Sequence, residues 1–121
     1  PHAVEKAKIG QQAHLESFAR ALESGVKIAM GTDAGTPFNR HGNNAFELKL
    51  MVDAGMTPMQ AIVSSTSLAA EVLDLEVGAV QEGYLADLIA VDGDPSENVT
   101  CLGELENIRM VMLGGEIKVR R

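Results

Sequence analysis

Between Gly31 and Gly42 the chain reads GTDAGTPFNRHG, which places Asp33, Arg40 and His41 within nine residues of one another. Asp33 follows a short apolar run, so one carboxylate is presented at the end of a strand-length segment. There it would act as a proton acceptor or a metal ligand. Arg40 and His41 lie in the loop that follows and would contact a substrate carboxylate, Arg40 through a paired hydrogen-bond fork. Each has a plainer alternative. Asp commonly forms turns at strand ends, a loop Arg is often a solvated cation, and a loop His often caps the next helix. His14 falls in the middle of a helical pattern and His2 at the chain's beginning, where neither has chemical company.

The elements that must position these residues are legible from periodicity. Residues 3–24 predict a helix, with Leu15, Phe18, Ala19 and Leu22 at helical spacing and Gly25 as its stop. Val26–Met30 predicts a strand joined almost directly to that helix, as in α/β units. Along it Val26, Ile28, Met30 and Thr32 share one face, and Lys27, Ala29, Gly31 and Asp33 the other. The first face is bulky, apart from Thr32, which is expected to pack outward, away from substrate. The second is small and ends in a carboxylate. This suits a barrel strand whose inner face opens to a site at its C-terminal end.

A second helix is expected over Ala45–Ala54 and a third from Thr57, where Thr57, Pro58 and Gln60 form a capping box. A further turn or two is expected over Leu68–Leu73 with Ser67 as cap. Beyond it the texture becomes strand-like, in Val77–Gly83, Leu88–Val91, Ile108–Leu113 and Glu116–Val119. The last two flank Gly114-Gly115, a two-residue hairpin signal. A division at 75/76 is therefore expected, with a helix-rich α/β part over 1–75 and a small β part over 76–121. One parallel-type strand and a few short ones do not close a sheet. The first strand needs neighbours that the sequence does not contain.

Composition narrows the function. The 121 residues carry a net charge of −7, with pI about 4.8, three Phe, one Tyr and no Trp. Non-specific binding to nucleic acid or an anionic membrane surface is disfavoured. No run of 18 apolar residues occurs. Cys101 is the single cysteine, which excludes an internal disulfide and suits a reducing, cytoplasmic setting. The chain opens with Pro1 instead of Met, which points to a segment of a longer protein; any signal peptide would then lie upstream.

Taken in order, GTDAG, HGNNAFELKLMVDAGMTPMQAIVSSTSLAAEVL, GAVQEGYLADLIAVDGDPSENV and IRMVMLGGE resemble the C-terminal part of a metal-dependent hydrolase of the amidohydrolase superfamily. The imidazolonepropionase-like and Xaa-Pro dipeptidase (prolidase-like) members are most similar. The resemblance covers essentially all 121 residues. The pattern G-x-x-A-D-L-x-x-x-D, from Gly83 to Asp92, is its most specific part. It implies that residues 1–75 are the last strand-helix portion of a TIM barrel, and that 76–121 are the C-terminal strands of a small composite β-sandwich.

The resemblance also implies hydrolysis of a C–N bond in an amide, cyclic amide or dipeptide. Asp33 would be metal ligand and general base toward a metal-activated water, and the metal a divalent ion such as zinc. It reverses the odds on Asp33, from turn former to site residue. The family's other ligands, a His-x-His pair, often a carboxylated lysine, and two later histidines, have no counterpart. His2, His14 and His41 stand 12 and 27 residues apart. The segment alone is therefore expected to be inactive, to hold zinc weakly at best, and to need the missing N-terminal part of its own chain. Its exposed strand predicts self-association into a homo-oligomer. Asp87 and Asp92 are read as structural, Asp87 as a backbone hydrogen-bond acceptor. A small non-catalytic α+β interaction domain is the alternative.

Overall fold

The computed structural model of the chain describes residues 2–121. Pro1 lies outside the described residues, as do the side chains of His2 to Glu5, Ala7 and Lys8, and with them the expectation for His2. Four helices come first: α1 (His2–Glu23), α2 (Ala45–Asp53), α3 (Pro58–Ser65) and α4 (Ser67–Leu73). Three strands follow, β1 (Leu88–Val91), β2 (Ile108–Leu113) and β3 (Glu116–Arg120), with a 3-10 segment, Val99–Gly103, between β1 and β2. The chain is thus mixed α and β, with the helices before the strands.

The helix ends follow their local chemistry. The last turn of α1 is closed by bonds from Gly25 N–H to the Leu22 carbonyl (3.1 Å) and from Val26 N–H to the Ala21 carbonyl (3.0 Å). At α3 the Thr57 hydroxyl accepts from Gln60 N–H (3.2 Å), and the Gln60 side chain accepts from Thr57 N–H (2.8 Å), completing the expected capping box. The start of α4 departs from expectation. Ser67 is its first helical residue, and Thr66 occupies the cap position without capping. The Thr66 hydroxyl instead donates back to the Ile62 carbonyl (2.7 Å), one turn earlier.

The strands form one antiparallel sheet of order β1-β2-β3. Leu113 pairs with Glu116 across Gly114-Gly115, both at positive φ (59° and 82°), as a two-residue hairpin of the primed type requires. Ile89, Val111 and Val119 lie opposite one another, with Ile89 and Val119 exposed. Val77–Gly83, expected to be strand-like, contains no strand. The chain there folds back on itself through Leu85 N–H to the Glu76 carbonyl (2.9 Å) and Tyr84 N–H to the Gln81 carbonyl (3.2 Å).

The core sits among the helices. Leu48 and Met51 of α2, Met56, Ala61 of α3 and Val99 of the 3-10 segment are buried together. Phe18, Leu22, Ile28, Met30 and Leu102 pack around them. Val99 and Leu102, from the segment between β1 and β2, thus pack among the helices. Among the described residues no helix is long and apolar enough to cross a membrane.

Candidate functional site

Val26–Met30 is not a strand in the described structure: no other strand lies beside it. Its residues nevertheless alternate. Ile28, Met30 and Thr32 are half-buried, whereas Lys27, Ala29, Gly31 and Asp33 are exposed, as side-chain parity predicts. Val26, at the segment's beginning, is exposed too. Ser64, fully buried near the end of α3, fixes the segment from one side. Its carbonyl accepts from Met30 N–H (3.1 Å), and its hydroxyl donates to the Ile28 carbonyl. A parallel strand needs a crossover neighbour to complete its ladder, and a helix end supplies only these two contacts.

Asp33 ends the segment at φ 49°, in the left-handed region that a short polar side chain tolerates better than most. Its carbonyl accepts from Thr36 N–H (3.3 Å), so the backbone, not the carboxylate, closes the turn. No hydrogen bond or ion pair to the Asp33 carboxylate is present among the described residues. The loop is then cross-tied. Gly35 N–H donates to the Asn39 carbonyl (2.8 Å), Asn39 N–H to the Thr36 carbonyl (3.0 Å), and the Asn39 side-chain amide to the Thr32 carbonyl. His41 packs on Gly35 so closely that a Cβ there would lie 2.9 Å from Nε2, and φ at Gly35 is +101°. Glycine is required at that position. Phe38, at φ 69°, is fully exposed.

The three predicted site residues are not gathered into one pocket. Arg40 lines a cleft of about 390 Å³ with Thr32, Phe38, Asn43, Phe46 and Glu47. Thr32 faces this cleft, on the helix side of the segment, and Asp33 is not among its lining residues. His41 sits over Gly35, two residues beyond Asp33. His14 borders a separate cleft between α1 and α2 and is exposed. Among the described residues no group of three or more His, Cys, Asp or Glu side chains converges on one point. Asn39 and Ser64 shape this region and escape sequence reading. Only the cluster of small polar residues around Ser64 hints that one of them is buried.

The three aspartates of the β half are all engaged. Asp87 accepts from Gly114 N–H (2.6 Å), which pins the hairpin, as expected for a structural residue. Asp92 pairs with Arg109 (Nε 2.7 Å, Nη2 2.5 Å); this hydrogen bond holds Asp92 below the usual carboxylate range and raises Arg109. Asp94 accepts from the hydroxyl (2.5 Å) and N–H (2.9 Å) of Ser96, which lowers its pKa as well.

Comparison with known proteins is consistent over nearly the whole chain. The profile of the amidohydrolase family matches residues 4–118. Ochratoxinase of Aspergillus niger is 34% identical over 109 residues, which are 87% of this chain and 22% of that protein. Its crystal structure superposes with a TM-score of 0.81 at 33% identity, covering 90% of this chain and 25% of that one. A Xaa-Pro dipeptidase with methionine bound in its active site is 43% identical, with a TM-score of 0.74 over 85% of this chain and 25% of that one. A prolidase complexed with N-methylphosphonate-L-proline gives a TM-score of 0.83 at 25% identity, over 100% of this chain and 30% of that one. The chain thus spans 22% of ochratoxinase and 25–30% of the solved structures named.

Proposed function

The chain belongs to the amidohydrolase family, and from that premise we propose that it forms the last strand-helix portion of a TIM-barrel hydrolase together with part of that enzyme's small β-sandwich. The reaction is hydrolysis of a C–N bond in an amide, cyclic amide or dipeptide. The observation that carries this reading is the Asp33 carboxylate. It stands at the end of an alternating segment, on the exposed side, with no partner of its own among the described residues.

Members of this family generally bind divalent metals, and the fit here is partial. One free carboxylate at a segment's end suits one ligand of such a site, with zinc as the proposed ion. No second or third donor stands beside it among the described residues. The remaining ligands are assigned to the rest of the longer protein, and the 121-residue chain alone is proposed to be inactive. A divalent ion, when bound, makes water acidic enough to supply a nucleophile near neutral pH. Asp33 contributes Oδ oxygens that accept the proton from the attacking water and return it to the departing nitrogen. Arg40 and His41, in the loop above, are assigned to contact with the substrate, Arg40 through its fork of N–H donors.

The test is Asp33→Asn in the full-length hydrolase, with turnover and bound metal measured on the same sample. Turnover should fall by about 10²–10⁴-fold. Unchanged turnover with metal retained would remove Asp33 from proton transfer.

A further inference from the structure

The Cα of Asp33 joins two peptide planes, and the directions of those planes set where its side chain points. Both planes are tied. The one before Asp33 carries the Thr32 carbonyl, which accepts from the Asn39 side-chain amide. The one after it carries the Asp33 carbonyl, which accepts from Thr36 N–H (3.3 Å). Asn39 also braces the turn that holds this second plane. Its N–H donates to the Thr36 carbonyl (3.0 Å), and its carbonyl accepts from Gly35 N–H (2.8 Å). One half-buried residue thus bonds at both ends of the loop. All of these groups lie within residues 32–39, so the ties belong to the loop itself and not to a surface that the rest of the polypeptide covers.

We propose that Asn39 is a positioning residue for the Asp33 carboxylate, holding the backbone conformation that aims it. The inference rests on the reading of Asp33 as general base. A non-glycine residue at φ 49° keeps that left-handed conformation only where its surroundings enforce it. With the Thr32 carbonyl released, φ at Asp33 relaxes toward the ordinary negative region, and the Cα–Cβ bond swings with it. With the carbonyl held, only the side-chain torsions of Asp33 stay free, and its Oδ atoms are confined to a small region. The tie also selects the residue type. A carbonyl needs a donor, and the amide of Asn supplies one on a short side chain without placing a charge beside the carboxylate. Phe38, at φ 69°, turns the chain immediately before Asn39.

The test is Asn39→Ala and Asn39→Asp in the full-length hydrolase, with kcat, KM and bound metal measured on the same samples. Asn39→Asp keeps the size of the side chain and both backbone bonds, and removes only the donor. Each variant should lower kcat about 10- to 100-fold, with KM within about twofold and metal content unchanged. In an Asp33→Asn background, Asn39→Ala should cost no further turnover, because a residue that acts only through Asp33 has nothing left to position. Wild-type kcat in either variant would overturn the proposal. So would a loss carried by KM, the mark of a loop slackened around Arg40 and His41, or a loss of metal that matches the loss of turnover. A full further loss on top of Asp33→Asn would overturn it too. If Asp33→Asn itself leaves turnover unchanged, the reading of Asp33 fails and the positioning with it. If Asp33→Asn costs turnover and the Asn39 variants do not, the positioning fails alone.

Discussion

Asp33 and Asp92 each end a short apolar run and each precede a glycine-containing turn, yet the chain treats them in opposite ways. Asp92 closes β1 inside a sheet whose neighbouring strand supplies Arg109, and the carboxylate is engaged. Asp33 closes a segment with no neighbouring strand, its turn is made by its own carbonyl, and its carboxylate is left over. Asp87 and Asp94 repeat the first pattern. A carboxylate that serves the fold is consumed by the fold. One left unpaired in a cross-tied, left-handed turn is available for something outside it.

The contrast is breakable, most strongly through activity. Asp33→Asn in the full-length hydrolase should cost about 10²–10⁴-fold in turnover and little in stability. Next comes Gly78→Ala. A Cβ at Gly78 would lie 2.6 Å from the backbone of Thr66, at a φ of +78°. That clash should lower stability by about 3 kcal/mol in urea denaturation, by forcing the chain beyond α4 off the α3–α4 junction. Asp87→Ala removes the acceptor of the Gly114 N–H and should lower stability by about 1 kcal/mol. It should leave turnover in the full-length hydrolase unchanged; a large loss of turnover would erase the distinction between the two halves.

The smallest effect belongs to Asp92 and Arg109, both exposed. The folded-state pKa of Asp92 lies below its ordinary 3.8 because Arg109 hydrogen-bonds to it. A depressed acid stabilises the fold above the unfolded pKa, and that contribution disappears as pH falls through the folded value. The denaturation midpoints of the wild type and Arg109→Gln should therefore differ slightly at neutral pH and converge below about pH 3.8. A gap that persisted in acid would mean that Arg109 acts by packing alone.

Much of the fold was legible because its signals are local. The capping box from Thr57 to Gln60 spans four residues, the hairpin needs only Gly114-Gly115, and the bounds of β1 and β2 follow from short apolar runs between turns. Val26–Met30 failed as a strand because no neighbouring strand lies beside it, and in two other places a competing bond at short range won. Thr66 turned back to Ile62 instead of leaving Ser67 to cap, and Leu85 reached Glu76 where Val77–Gly83 was expected to run as a strand. Of the candidate site, the parity that exposes Asp33 was readable from alternation. The separation of Arg40 into a cleft on the side of Thr32 was not, because it depends on how the loop is tied by Asn39.

By itself, the sequence determined the helices and the capping box of α3, the three strands and their hairpin, the exposed face that carries Asp33, and the kinship with amidohydrolases. Periodicity, capping and turn chemistry act over a few residues, and a matching order of motifs needs no coordinates. Only the tertiary structure decided that Ser64 would bind Ile28 across 36 residues of chain, and that Val99 would complete a core built by α2 and α3. It likewise decided that Asp87, Asp92 and Asp94 are taken up by the fold while the Asp33 carboxylate has no partner among the described residues. Those outcomes depend on which distant groups meet once the chain has closed, and a partner 17 or 36 residues away leaves no local mark.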